Sequence, residues 1–252
     1  MTFDVSADAY ARFMGQFSEP LGIEFVELGG VRPGQRALDV GCGPGALTAR
    51  LVERLGISAV AAIDPSESFV AATAARFPGI DVRSGVAEQL PFADDEFDVS
   101  LAQLVVHFMA DPVAGLGEMA RVTRPDGVVA ACVWDHSGGG GPLSTFWQAV
   151  RALDPGAPGE ADLPGTRDGH LAELSEAAGL REIESGRLTV HVRFESFADW
   201  WEPYTFGVGP AGAYVAGLDA SGRAALAAEC ERRLPQAPFE VAASAWSVRA
   251  RV

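Results

Sequence analysis

Residues 37–45 read ALDVGCGPG, and this stretch predicts both a fold class and a ligand site. An apolar run that begins at Ala37 ends in three alternating glycines, and the residues from Ala46 to Leu55 then have the apolar spacing of a helix packed by one face. Glycines at a strand-to-helix turn let the backbone bend sharply and approach a ligand that a Cβ would exclude. The stretch therefore predicts a loop that cradles a nucleotide-type ligand.

Strands and helices alternate on both sides of this loop. Apolar strands are predicted at 36–40, 58–63, 80–84, 97–101 and 128–134, and amphipathic helices at 46–55, 66–76 and 112–123. Strands that alternate with helices pair in parallel through right-handed crossovers. We expect an α/β fold with a doubly wound, mostly parallel sheet and an antiparallel final strand.

The pattern changes after residue 135. Two stretches rich in Gly and Pro, 137–142 and 154–165, precede a helix predicted at 167–178 with Thr166 as its cap. Further elements are predicted as a strand at 188–194, an aromatic segment at 197–206, a helix at 221–234 and a last strand at 239–252. Apolar residues of this last strand move from odd to even positions at Trp246, which predicts a bulge if the strand is continuous.

These breaks suggest a division of the chain into a core and a lid. We expect an N-terminal helical lid segment at 1–30, a Rossmann-like cofactor-binding core at 31–135, a flexible insertion at 136–165, a continuation of the core at 166–196, an aromatic helical lid at 197–238 and the final antiparallel strand at 239–252.

Composition excludes several classes of function. With 19 basic and 34 acidic residues the formal charge is −15, so most of the surface would repel a nucleic acid. Three scattered cysteines indicate neither a disulfide framework nor a zinc site, and no metal is expected. The first ten residues lack a basic flank and an apolar run, and no stretch is long and apolar enough to span a membrane. We expect a soluble, cytoplasmic protein without a membrane partner.

Two acids near the glycines narrow the choice of ligand. Gly41, Gly43 and Ala46 also satisfy the dinucleotide pattern G-x-G-x-x-G/A, so the loop alone does not exclude NAD. Asp39, two residues before the first glycine, would repel a pyrophosphate but suits a cationic sulfonium and amino group. Asp64 ends the next predicted strand, where a carboxylate can accept hydrogen bonds from two ribose hydroxyls.

From about residue 10 to residue 135 the sequence resembles the class I S-adenosylmethionine-dependent methyltransferases, in particular their small-molecule branch related to ubiquinone and menaquinone biosynthesis enzymes. The motifs that carry the resemblance are ALDVGCGPG at 37–45, AIDPS at 62–66, GVAEQLPFADDEFDVSLAQLVVHFM at 85–109 and RPDGVVAACVWD at 124–135. The resemblance implies a sheet of seven strands and S-adenosyl-L-methionine as the cofactor.

The resemblance also implies roles for individual residues. Asp39, Gly41, Gly43 and Gly45 would surround the methionine part, Asp64 would hold the ribose, Ala87 and Glu88 would approach the adenine, and Gln103 would lie beside the sulfonium. Other residues expected to contact the cofactor are Cys42 and Pro65 in the same motifs, and Tyr10 and Met14 in an N-terminal helix that closes over it. The family often has an acid where this chain has Val86, so we expect adenine to be bound less tightly, or by the backbone alone.

The methyl acceptor is expected to be a small, apolar or aromatic molecule. Aromatic residues near the Gly-rich breaks are candidates for its pocket, namely Trp147, Trp200, Trp201 and Tyr204. His107 follows the fourth strand and is a candidate general base. Two alternatives stay open at this stage: a non-catalytic protein that binds S-adenosylmethionine, and an oxidoreductase that uses NAD(P).

Overall fold

The computed structural model describes residues 7–252 and contains one seven-stranded sheet with the order β3-β2-β1-β4-β5-β7-β6. The strands are β1 (Ala37–Val40), β2 (Val60–Asp64), β3 (Asp81–Ser84), β4 (Phe97–Gln103), β5 (Thr123–Trp134), β6 (Arg181–Phe194) and β7 (Phe239–Arg251). β1 to β5 pair in parallel, and β7 is antiparallel to both β5 and β6. The expected doubly wound, mostly parallel sheet is confirmed.

Helices cover both faces of the sheet. They are α1 (Ala7–Tyr10), α2 (Gln16–Leu28), α3 (Ala46–Leu55), α4 (Glu67–Arg76), α5 (Pro112–Val122), α6 (Ser144–Leu153), α7 (His170–Ala177), α8 (Phe197–Trp201), α9 (Gly209–Gly217) and α10 (Ala220–Arg233). A π-helical turn, Ala11–Gly15, joins α1 to α2, and short 3₁₀ turns occupy Ile57–Ala59, Val106–Phe108 and Glu202–Phe206.

The sheet separates two apolar layers. Side chains of α2, α3, α6 and α10 pack with one face, and side chains of α5 and α7 pack with the other. β1 contributes to both layers, because Ala37 belongs to the first and Leu38 and Val40 to the second. A strand covered on both sides reads as a continuous apolar run, which explains the sequence of β1.

Chain order reverses beside β1. This strand pairs with β2 on one side and with β4 on the other, so the connections leaving β1 and β4 run to opposite sides of the sheet. Such a reversal leaves a crevice at the carboxyl ends of the strands, where doubly wound folds bind ligands. The glycine loop at 41–45 lies at this crevice.

The bulge predicted in the last strand is wrong. β7 pairs continuously with β6 from Phe239 to Arg249, and the register shift lies in β6, between Arg181 and Glu184. The apolar pattern changes because the covering layer changes: Phe239, Ala243 and Ala245 pack in the layer of α2 and α6, whereas Val248 and Ala250 pack in the layer of α5 and α7. A change of the buried face has the same sequence signature as a bulge.

Thr166 does not cap a helix. α7 begins after Gly169, whose φ of 76° places it in the left-handed region, and the Thr166 hydroxyl donates to the carbonyl oxygens of Ala161 and Leu163. Thr166 therefore closes a turn of the preceding Gly- and Pro-rich segment. Between the two Gly-rich stretches lies α6, whose Phe146 and Val150 are fully buried, so the segment at 136–165 contributes to the core.

Candidate functional site

The glycine loop follows β1 and is tied to β2. The backbone N–H groups of Gly41 and Cys42 both donate to the carbonyl oxygen of Ile63, at 2.8 and 3.0 Å. Gly41, Gly43 and Gly45 have φ values of 70°, 53° and 88°, a region that glycine occupies without strain. The loop conformation thus requires glycine at all three positions.

Space around the three glycines differs. A Cβ at Gly41 would lie 2.4 Å from a methyl carbon of Val105, and one at Gly45 would lie 3.0 Å from the ring of Phe77. A Cβ at Gly43 would meet no atom within 4 Å. Gly41 and Gly45 are therefore needed for packing, while Gly43 exposes its backbone to the open cleft.

Asp39 lies beneath the loop, near the end of β1. Its side chain is 1% exposed and accepts a hydrogen bond of 2.6 Å from the hydroxyl of Thr48. Burial raises the pKa of Asp39 to about 7, and the Thr48 hydroxyl opposes the shift. A nearby cation would stabilise the ionised carboxylate, so the position suits a positively charged ligand group.

Asp64 ends β2 and joins the loop to the strand. Its two carboxylate oxygens accept hydrogen bonds from the N–H groups of Gly43, at 2.9 Å, and Ser66, at 2.8 Å. Burial raises the pKa of Asp64, against the effect of these two donors. Each oxygen keeps further acceptor capacity for a ligand hydroxyl.

A polar cleft opens beside Asp39 and residues 41–44 of the glycine loop, with an empty volume of about 310 Å³ including the part open to solvent, and Asp64 does not line it. Gln103 at the end of β4 lines it and is 9% exposed, and its Nε2 donates to the Ser18 carbonyl oxygen at 3.0 Å. Gln103 Oε1 and Ser18 Oγ are buried and have no hydrogen-bond partner among the described residues. The lining residues are Tyr10, Ser18, Asp39, Gly41, Cys42, Gly43, Pro44, Ala46, Leu47, Gln103 and Leu104.

Ala87 and Glu88, predicted to approach the adenine, and Pro65, predicted to contact the cofactor, do not line this cleft. Ala87 is buried in the layer of α5, Pro65 is exposed, and Val86 is 46% exposed. Glu88 accepts hydrogen bonds from the N–H groups of Ala110 and Asp111, so its carboxylate orders the loop before α5. The exposed Val86 offers an apolar surface where the family often has an acid.

Tyr10 and Met14, both predicted to contact the cofactor, differ in the cavities that they line. Tyr10 lines the polar cleft and also a second, largely apolar cavity, and its ring contacts Phe69 edge to face at 5.3 Å. Burial raises the pKa of Tyr10 to about 12, so the phenol is neutral. Met14 lines the apolar cavity and not the polar cleft. The first six residues of the predicted lid lie outside the described part of the chain.

The apolar cavity adjoins the polar cleft, because Tyr10 and Leu104 line both. Leu104 has a φ of 63°, a conformation that costs a residue with a Cβ about 1 kcal/mol or more, and its N–H donates to the Cys132 carbonyl. The cavity has an empty volume of about 440 Å³, including the part open to solvent. Its lining residues are Tyr10, Phe13, Met14, Leu104, His107, Phe108, Trp134, His136, Leu143, Glu160, Val208, Gly209, Pro210 and Ala211.

Two histidines face this cavity. His107 is 5% exposed, its Nδ1 has no partner among the described residues, and its ring centroid lies 6.1 Å from that of His136. Burial lowers the pKa of His107 well below its usual range and lowers that of His136 to about 4. Both imidazoles are therefore neutral near pH 7. No role is predicted for His136 from the sequence, because a histidine after a strand is usually an exposed polar residue.

Glu160 is the acid of this cavity, and sequence reasoning missed it. Its side chain is 4% exposed, and Oε2 accepts a hydrogen bond of 2.7 Å from the indole N–H of Trp147. Burial raises the pKa of Glu160 to about 7. Trp134 also lines the cavity, with its indole N–H buried and unpartnered among the described residues. Glu160 lies in a Pro- and Gly-rich segment without a periodic pattern, so the sequence contained no signal for it.

The four aromatic residues expected to form the acceptor pocket do not line the cavity. Trp147, Trp200 and Tyr204 are buried, and Tyr204 stacks on Phe146 with 4.6 Å between ring centroids. Trp201 stacks on Tyr204 at 5.9 Å. Trp200 also packs against Tyr204, and Trp147 packs against Phe146 and Tyr214, so a part for any of the four rings in binding the acceptor stays a prediction.

Known proteins resemble this chain both in sequence and in fold. A family model described as a methyltransferase domain matches residues 38–131. An uncharacterised protein of Mycobacterium tuberculosis is 29% identical over 233 residues, which cover 89% of this chain and 82% of that protein. A demethylmenaquinone methyltransferase of Beutenbergia cavernae is 41% identical over 98 residues, 39% of this chain and 40% of that enzyme.

A solved structure extends the likeness of the fold to nearly the whole chain. The SAM-dependent methyltransferase of Thermotoga maritima superposes with a TM-score of 0.58 at 17% identity, and the match covers 97% of this chain and 94% of that one. Within residues 7–252, no helix is long and apolar enough to cross a membrane. No group of three or more His, Cys, Asp or Glu side chains in that part of the chain is arranged to hold a metal ion.

Proposed function

The chain belongs to the class I S-adenosylmethionine-dependent methyltransferases, and from this premise we propose that it transfers the methyl group to a small, apolar or aromatic molecule. The observation that carries the proposal is the pair of adjoining cavities, one polar and one apolar, which share Tyr10 and Leu104. A polar cleft suits the charged cofactor, and an apolar cavity suits a small acceptor.

The residues of the polar cleft fit S-adenosyl-L-methionine. The backbone of Gly43 faces open space, and Gln103 Oε1 is a buried acceptor without a partner in the described chain. We assign Asp39 and the glycine loop to the methionine part, Asp64 to the ribose hydroxyls and Gln103 to the side of the sulfonium. The cofactor supplies a methyl group bonded to a cationic sulfur, which is ready for attack by a nucleophile.

The protein's own contribution is alignment and the exclusion of water. Met14, Phe13 and Leu143 give the acceptor an apolar surface, and Leu104 separates it from the polar cleft. We assign His107 as the candidate general base, because its neutral ring faces the cavity and its Nδ1 has no partner among the described residues. This arrangement places the cationic cofactor on one side of Leu104 and the acceptor on the other.

Titration calorimetry with S-adenosylhomocysteine and, separately, NADH tests the cofactor. We expect one molecule of S-adenosylhomocysteine to bind and NADH not to bind, because Asp39 would repel a pyrophosphate. Binding of NADH in place of S-adenosylhomocysteine would favour an oxidoreductase and contradict the proposal. Transfer of a labelled methyl group to a panel of small acceptors tests the reaction. Cofactor binding without transfer to any of them would favour a non-catalytic binding protein.

A further inference from the structure

Glu160 is an acid on the wall of an otherwise largely apolar cavity. Its side chain is 4% exposed, and its one hydrogen bond within residues 7–252 joins Oε2 to the indole N–H of Trp147. No arginine in the described part of the chain forms an ion pair with it, although the guanidinium of Arg151 lies near Gly159. A buried carboxylate with one neutral donor is poorly compensated for the water it has lost.

The hydrogen bond from the Trp147 indole does not by itself require a carboxylate at position 160. A glutamine has the same length and presents a carbonyl oxygen that can accept the same indole hydrogen bond, without the cost of burying a charge. A glutamate at position 160 therefore stabilises the folded protein less than a glutamine would. Buried ionisable groups of this kind concentrate at functional sites.

The charges around the cavity restrict what it can accept. Among residues 7–252, no lysine or arginine lines the cavity, its two histidines are neutral near pH 7, and Tyr10 keeps its proton. Burial raises the pKa of the Tyr204 phenol, and the nearby Cys230 and Glu160 add to this shift. An anionic group in the cavity would meet the Glu160 carboxylate with no cationic side chain of the described lining to balance either charge.

We propose that Glu160 selects the methyl acceptor, its second carboxylate oxygen accepting a hydrogen bond from a hydroxyl or amine group on an apolar skeleton. The cavity rejects the same skeleton when it carries a carboxylate. This inference rests on the proposed function for the identity of the apolar cavity as the acceptor site. The substrate class is accordingly a neutral or cationic hydroxyl or amine compound.

Calorimetric titration of three probes with one skeleton tests the selection: 4-ethylphenol, 4-ethylbenzylamine and 4-ethylbenzoate, at pH 8. We expect the phenol and the amine to bind at least about tenfold more tightly than the carboxylate, the effect of one hydrogen bond to a charged acceptor. Glu160→Gln keeps the acceptor for Trp147 and removes the charge, and should reduce this preference by about tenfold. Equal binding of phenol and carboxylate by the wild type, or no binding of any probe, would overturn the inference.

A matched control removes an acid elsewhere. Glu195 is exposed and paired with Arg193, so Glu195→Gln makes the same chemical change outside the cavity and should leave the preference unchanged. A preference that survives Glu160→Gln, or that Glu195→Gln lowers equally, would contradict the role of Glu160. Binding of S-adenosylhomocysteine is measured in the same samples. Its loss would contradict the proposed function, whereas normal cofactor binding without probe selection contradicts only this inference.

Two further measurements test Glu160. The first uses only the wild-type protein, and the second compares its melting temperature with that of Glu160→Gln. In the wild type, the preference for phenol over carboxylate should shrink from pH 8 to pH 5.5, because Glu160 takes up a proton near pH 7 while His107 and His136 stay neutral. A preference independent of pH would count against Glu160.

In melting experiments, the raised pKa of Glu160 means that wild-type stability is lost as pH rises from about 4.5 to about 7. Glu160→Gln should therefore gain melting temperature relative to the wild type over that range, and a constant difference would contradict the buried charge.

Discussion

The backbone N–H of Gly43 donates a hydrogen bond of 2.9 Å to Oδ2 of Asp64, so the glycine loop after β1 is held by the acid that ends β2. One carboxylate thus fixes the loop and also stands where the ribose is proposed to bind. The two sequence motifs form a single site because their strands are neighbours in the sheet.

Replacing Asp64 should weaken cofactor binding. Asp64→Ala removes a charged acceptor for the ribose hydroxyls, and we expect S-adenosylhomocysteine to bind about 1.5–3 kcal/mol more weakly in a folded protein. Titration calorimetry measures the change. Asp219→Ala is a matched control, since Asp219 accepts from the Gly222 N–H at the start of α10 and should affect stability but not affinity. Unchanged affinity in Asp64→Ala would remove Asp64 from the ribose site.

A side chain at Gly43 should abolish cofactor binding. Its Cβ would project into open space in the cleft, so Gly43→Val fills the volume that the cofactor needs. Gly179→Val is the control: this glycine also has positive φ and an unobstructed Cβ position, but it lies after α7. Both variants should lose stability, and only the first should lose affinity for S-adenosylhomocysteine. Normal binding by Gly43→Val would mean that the loop does not contact the cofactor.

Met14 and Trp201 should affect different properties. Met14 lines the apolar cavity, so Met14→Ala should weaken binding of 4-ethylphenol more than binding of S-adenosylhomocysteine. Trp201 packs against Tyr204 and Phe197, so Trp201→Ala should lower the melting temperature and leave both affinities near the wild-type values. If Trp201→Ala instead weakens only the binding of 4-ethylphenol, Trp201 contributes to the acceptor site.

His107 is tested through the pH dependence of turnover. If His107 is the base, His107→Ala should lower kcat by about 10² to 10⁴ with little change in the affinity for S-adenosylhomocysteine. Because burial lowers its pKa well below 6.5, activity should fall only at pH values well below 6.5, and this acidic limb should vanish in the variant. His191→Ala, an exposed site on β6 paired with Glu240, is the control. If His107→Ala keeps both its kcat and the acidic limb of the pH profile, His107 is not the base and catalysis rests on the alignment of the acceptor.

The sequence predicts the fold around the glycine loop well. The helix at 46–55 has the predicted bounds, and Asp39 and Asp64 lie near the loop, because the contacts that place them are local to neighbouring parallel strands. The apolar cavity depends on packing between distant segments. Glu160 meets Trp147, and His107 meets His136, only after the chain has folded, and no periodic pattern records such contacts.

We propose that the cofactor's sulfur lies at the boundary between the two cavities, and a crystal structure with S-adenosylhomocysteine tests this position. We expect the ribose at Asp64, the methionine part over Gly43, and the sulfur beside Gln103, facing the apolar cavity past Tyr10 and Leu104. Adenosyl density inside the apolar cavity, or a sulfur that faces away from it, would mean that the two cavities do not divide cofactor and acceptor in this way.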